Sequence, residues 1–189
     1  MRIDLDQPLS INHQPSTINH QPSTVKTLWA PWRIEYVKAP KDEGCILCDK
    51  PDRDDDRKML ILHRGDLAYI MMNLYPYNNA HLMIAPYEHI ADPTQLSIET
   101  KTDIMSLTDI AMKVLKKAVN PDGFNFGANF GKTAGSGIEE HIHYHLVPRW
   151  AGDTNFMPVI GHTKVQVQEL QECFDTLKPF FDRLTVEES

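Results

Sequence analysis

The chain has 189 residues, 41% hydrophobic and 24% charged, with a formal net charge of −7. This is the balance of an ordinary soluble protein with one sizeable core, and the negative charge argues against a nucleic-acid groove or an anionic membrane surface as the main partner. Three cysteines form no even disulfide framework; with no bilayer-length apolar run and no charged-then-apolar leader, the expected location is cytoplasmic.

Residues 11–24 hold the heptapeptide Ile-Asn-His-Gln-Pro-Ser-Thr twice over. This polar, proline-bearing segment cannot bury enough apolar surface to offset its ordering entropy, so residues 1–26 are expected to be a disordered arm. His13 and His20 read as part of a solvated tail. One domain, 27–189, is expected to follow, opening near Thr27-Leu-Trp-Ala-Pro-Trp-Arg-Ile-Glu-Tyr. Cys45-Ile-Leu-Cys48 has zinc-knuckle spacing, since two thiolates on one turn reach a single tetrahedral ion. It is half a site. His89 and His141 are candidates for the rest, and a redox pair or two small buried residues are the alternatives.

The charged stretch Asp52–Lys58 reads as a loop. Leu67–Asn73 and His81–Pro86 look like strands joined by the turn-rich residues 74–79. From Thr94 to Val119, Ile98, Ile104, Met105, Leu107, Ile110, Met112, Val114, Leu115 and Val119 recur near helical spacing. Asn120-Pro-Asp-Gly123 ends that helix. Phe124–Asn129 is a strand candidate and Gly131–Gly137 a glycine-rich loop. A final amphipathic helix is expected over Gln168–Leu184, with Leu170, Cys173, Phe174, Leu177, Phe180 and Phe181 as its apolar stripe. Strands paired by hairpins with helices to one side predict an α+β class on an antiparallel sheet.

The most informative run is His141-Ile-His-Tyr-His-Leu-Val-Pro-Arg-Trp150. Successive strand residues point to opposite faces, so His141, His143 and His145 share one face, and Ile142, Tyr144 and Leu146 take the core side. Imidazole can act as nucleophile, proton donor or metal ligand near neutral pH. Three on one face therefore predict a reaction centre or a metal site.

With this strand, Asn79-Ala-His-Leu-Met-Ile-Ala-Pro-Tyr-Glu-His89 and the glycine-rich loop between them, the chain resembles the histidine-triad (HIT) superfamily of nucleotide hydrolases and transferases. Leu28-Trp-Ala-Pro-Trp-Arg33 with Tyr36, Asn73-Leu-Tyr-Pro-Tyr-Asn78 and Pro148–Phe156 look closest to its bacterial diadenosine tetraphosphate (AP-4-A) phosphorylase-like branch. The resemblance implies an antiparallel sheet of about five strands with a long helix and a C-terminal helix. It implies that His143 attacks the α-phosphorus of a dinucleoside polyphosphate and carries a transient nucleotidyl group, while His145 binds and neutralises phosphate oxygens. Cys45, Cys48, His89 and His141 correspond to a structural zinc site, with no organic cofactor. Asn73 stands where relatives hold the ribose, although a turn-forming Asn is an equal alternative. His81, Asn129, Gly135 and Ser136 correspond to substrate-contacting positions, although for His81 a buried, satisfied strand histidine is a fair alternative.

Many members carry Gly-Gln-Ser or Gly-Gln-Thr before the triad, whereas this chain has Ala134-Gly-Ser-Gly-Ile-Glu-Glu140, so Ser136 is the candidate replacement. The leading expectation is phosphorolysis of diadenosine tetraphosphate to ATP and ADP, with inorganic phosphate as acceptor and Arg149 and Lys132 as the nearby cations. The alternatives are a hydrolase using water and a nucleotide-binding sensor with vestigial catalysis. A homodimer is expected from the resemblance alone.

Overall fold

The computed structural model describes residues 44–153 and 168–187. The arm at 1–26 with its duplication, the segment 28–36, and residues 154–156 of the third resembling segment lie outside the described residues.

Two short helices come first. In α1 (Ile46–Asp49), Cys45 is the N-cap and its carbonyl accepts the N–H groups of Cys48 and Asp49, both at 2.9 Å. In α2 (Asp56–Met59), the Asp55 carboxylate accepts the Lys58 N–H at 3.0 Å, and Leu60 ends the turn at φ 64°. Part of the stretch expected to be a loop is thus helical. Asp55 caps it, and Asp56 at its start with Arg57 and Lys58 at its end suit the helix dipole. A single turn is too short for apolar periodicity to reveal it.

Among the described residues the sheet has five strands, β1 (Ile61–Arg64), β2 (Ala68–Met72), β3 (Leu82–Pro86), β4 (Gly123–Ala128) and β5 (Tyr144–Arg149), in the order β1-β2-β3-β5-β4 with every pair antiparallel. β1 was not anticipated, because its four residues carry too little alternation to register as a strand. β2 and β3 are buried along their whole length, which accounts for apolar runs without alternation.

The 22-residue helix α3 (Ile98–Val119) starts on the Ser97 hydroxyl, which accepts the Thr100 N–H at 3.0 Å, and stops at Asn120 with φ 45°. Ile104, Leu107, Ala111, Val114 and Leu115 form its buried stripe. Ile98 and Met105, counted as apolar positions of the pattern, are 70% and 51% exposed and lie off that stripe. Helix α4 (Leu170–Glu187) buries Cys173, Phe174, Leu177 and Phe181 as expected.

Both faces of the sheet are covered. Leu62, Ile70, Met72, Leu82, Ile84 and Leu146 meet α3 and α4 in the main core. On the opposite face Ile61, Tyr69, Met71, Met83 and Ala85 form a smaller cluster with Leu47. There the Tyr69 hydroxyl donates to the Leu47 carbonyl at 2.7 Å and ties α1 to the sheet. That second face carries the histidines, since Met83 pairs with His145.

Leu115 is fully buried and Ile98 is 70% exposed. Leu115→Ala is expected to lower unfolding free energy by about 2–5 kcal/mol, and Ile98→Ala to change it by no more than about 0.5 kcal/mol. Denaturant midpoints at constant m-value check both. Comparable losses at the two positions would contradict this assignment of the helix faces.

Candidate functional site

The histidine run enters the sheet partway along. Ladder pairing begins at Tyr144, and residues 141–143 are extended ahead of it, where the Ile142 N–H donates to the Ile90 carbonyl at 2.7 Å. The expected alternation holds: Ile142 and Leu146 are in the main core with Tyr144 packed against it. The three imidazoles nonetheless divide into two groups. His141 turns towards the cysteines, and His143 and His145 meet edge to face with ring centroids 5.0 Å apart.

Cys45, Cys48, His89 and His141 bring one donor atom each within 4.8 Å of one another. His141 Nδ1 is 3.3 Å from both Cys45 Sγ and Cys48 Sγ, and His89 Nδ1 is 3.3 Å from Cys48 Sγ. An S···N edge of a tetrahedral zinc site, built from ordinary Zn–S and Zn–N lengths, is about 3.6 Å, so the donor set fits such an ion. His141 Nε2–H donates to the Pro86 carbonyl at 2.9 Å, which leaves Nδ1 unprotonated and aimed at the sulfurs. Burial and the adjacent Cys45 push the Cys48 thiol up to about 11, a cost a divalent cation would reverse. The pieces converge because α1 begins at Cys45, His89 follows β3, and His141 lies beside residues 86–90 through the Ile142–Ile90 bond.

His143 is 6% exposed, and its Nδ1 lies 2.9 Å from the His141 carbonyl. A carbonyl only accepts, so Nδ1 carries the proton and Nε2 keeps its lone pair. His145 is set differently. The Tyr77 backbone N–H donates to His81 Nδ1 at 3.0 Å, so that nitrogen has no proton. His81 Nε2–H therefore donates to His145 Nδ1 at 3.0 Å, and the proton of His145 is left on Nε2. Burial, with His143 beside it, pulls His145 down to about 4. His145 is thus neutral near pH 7, with Nε2–H as its donor.

The remaining expected residues are placed less uniformly. Asn73 is 9% exposed; its Oδ1 accepts the Tyr75 N–H at 2.9 Å and its amide nitrogen is 3.4 Å from His81 Nδ1, which sets it in a turn beside the histidine cluster. Gly131 and Gly135 have φ of 77° and 91°, which L side chains resist. A Cβ on Gly135 would lie 4.0 Å from the Asn129 amide nitrogen, which brings these two loop positions together. The Ser136 hydroxyl donates to the Ile138 carbonyl at 2.8 Å. Lys132 is exposed on this loop. Arg149 is committed elsewhere: it holds Asp153 through two nitrogens, at 2.6 and 3.0 Å, and the Asn125 side chain at 2.9 Å.

Sequence reasoning passed over three residues here. Asn78, 6% exposed, donates to the Pro148 carbonyl and to Asp153, both at 2.9 Å, and thereby pins the connector 74–79 to the end of β5. Asp153 links Asn78 with Arg149. The Tyr77 ring tilts over both His81 and His145, with centroids 4.6 and 5.4 Å away. Turn-rich composition marked 74–79 as a connector and hid these contacts, which need β3 and β5 in place.

The family model described as HIT domain matches residues 56–152. The AP-4-A phosphorylase of Mycobacterium tuberculosis is 37% identical over 156 residues, covering 78% of this chain and 80% of that protein. A bis(5'-adenosyl)-triphosphatase of Dictyostelium discoideum is 29% identical over 93 residues, covering 49% of this chain and 62% of its own length. Among solved structures, a zinc-bound histidine triad family protein from Mycobacterium smegmatis superposes with a TM-score of 0.60 at 20% identity, over 76% of this chain and 97% of its own. These matches cover the sheet, the long helix and the histidine strand together, and the chain belongs to the HIT family.

Proposed function

We propose that this enzyme transfers a nucleotidyl group from a dinucleoside polyphosphate through His143, most readily by phosphorolysis of diadenosine tetraphosphate to ATP and ADP. The observation that carries the reading is the hydrogen bond from His143 Nδ1–H to the His141 carbonyl, which leaves Nε2 as the nucleophilic nitrogen of a ring in edge contact with His145. In the first step a bond forms between Nε2 and the α-phosphorus, and the bond to the bridging oxygen breaks, releasing ATP. In the second, an oxygen of inorganic phosphate attacks that phosphorus, the P–N bond breaks, and ADP leaves with His143 restored. His145 Nε2–H donates to a phosphoryl oxygen as charge develops there. The similarity to the M. tuberculosis AP-4-A phosphorylase supports phosphate as the acceptor.

In this reading Asn73 holds the ribose hydroxyls. Asn129, Gly135 and Ser136 contact the phosphates from the loop, whose turn is made by glycines at positive φ. His81 acts on the substrate through His145. Cys45, Cys48, His89 and His141 hold a structural zinc, because four protein donors leave no open position for substrate. The ion would fix the His141 backbone. The protein works as a cytoplasmic homodimer. The exposed sheet edge at β4, with Phe126 37% exposed, suits such an assembly, and no helix among the described residues is long and apolar enough to cross a membrane.

Incubation with diadenosine tetraphosphate, with and without inorganic phosphate, tests the activity. ATP plus ADP formed only when phosphate is present is expected. AMP plus ATP without phosphate would identify water as the acceptor, and no turnover would favour a sensor. His143→Ala should cut turnover at least about a thousandfold while nucleotide affinity stays within a few-fold, and surviving turnover would exclude His143 as nucleophile. Metal analysis should find one zinc per chain, lost in Cys48→Ser. Chelation should lower the melting temperature by several degrees, since about 1 kcal/mol corresponds to roughly 2–4 °C at this size.

A further inference from the structure

The connector 74–79 joins β2 to β3 and is pinned at Asn78 by the Pro148 carbonyl and Asp153. Tyr77 makes two contacts with the histidines from it. Its peptide N–H donates to His81 Nδ1 at 3.0 Å, and its ring tilts over His81 and His145 at 42° and 33° while the residue stays 51% exposed. A backbone N–H cannot accept, so a proton on His81 Nδ1 would set two donors against each other. The peptide group of Tyr77 thus determines which nitrogen of His81 is protonated. His81 Nε2, 3.0 Å from His145 Nδ1, passes that choice on.

We propose that Tyr77 is a positioning residue: its peptide N–H, acting through His81, holds the proton of His145 on Nε2, and its ring shields the imidazole pair from water, so that His145 meets the phosphoryl group as a neutral donor. The role in turnover rests on the nucleotidyl-transfer reading, whereas the protonation pattern belongs to the resting protein. The titratable groups in ring contact with His145 are His143 on its own strand, His81 just before β3 and the Tyr77 phenol on the connector. The paired strand positions are Met83 and Gly127, neither of which titrates. Burial, with His143 beside it, holds His145 down at about 4.

Nitrogen-15 NMR of histidine-labelled full-length protein reads this arrangement directly. His145 is expected to show one tautomer, protonated at Nε2, and no titration above pH 5. Tyr77→Ala keeps the peptide N–H and should keep that tautomer. Tyr77→Pro removes the N–H and should give mixed tautomers with a titration near the ordinary histidine value of about 6.5. In that variant kcat should fall about tenfold with KM within threefold, as for loss of a positioned proton donor. If Tyr77→Pro fails to fold, His81→Phe removes the acceptor of that N–H and should give the same mixed tautomers. A single Nε2-protonated His145 in whichever of the two folds would overturn the proposal, as would lost tautomer order with unchanged kcat. The NMR arm needs no substrate. A wild-type protein inactive on diadenosine tetraphosphate would therefore strike the proposed activity and leave the tautomer result to decide this inference.

Discussion

His141 is the point at which the separate parts of the site are joined. Its Nδ1 faces Cys45 and Cys48, its Nε2–H is held by the Pro86 carbonyl, and its own carbonyl accepts the Nδ1–H of His143. A displacement of this one residue would disturb the donor set of the candidate metal centre and the tautomer of the proposed nucleophile together. The neighbouring Ile142 N–H bonds the Ile90 carbonyl and fixes the same stretch against residues 86–90. Because His141 is fully buried, water cannot replace these partners cheaply.

The sheet makes that arrangement possible by being covered on both sides. Helices α3 and α4 fill one face, and Tyr69, Met71 and Met83 with Leu47 fill part of the other. The second cluster is small, yet it seats α1 and with it the two cysteines, through the Tyr69 hydroxyl on the Leu47 carbonyl. The histidines occupy the same face further along.

Charge at this site is arranged with restraint. Arg149, the cation nearest the histidine strand in sequence, is held by Asp153 and Asn125 in a structural brace. His81 spends its Nε2–H on His145 Nδ1, which leaves the His145 proton on Nε2.

The alternating histidines, the Cys-x-x-Cys spacing and the long helical period were legible because each is a local pattern with a fixed physical repeat. They determined the α+β class, the face shared by His143 and His145, and the candidate donor set of Cys45, Cys48, His89 and His141. The single-turn helix at Asp56–Met59 and the four-residue β1 were not legible, since neither is long enough to show a period. Exposure of Ile98 and Met105 was hidden for another reason: apolar spacing marks a helix without saying how wide a stripe its neighbours cover. The Tyr77 ring contact with His145, the Asn78 bond to Pro148 and the Arg149 bond to Asn125 join separate elements, and the division of the triad into a cysteine-facing His141 and the His143–His145 pair depends on where β3 and its following residues approach. Hydrogen bonds between residues 64 to 96 positions apart are decided only when the strands pair, and tertiary structure alone assigned them.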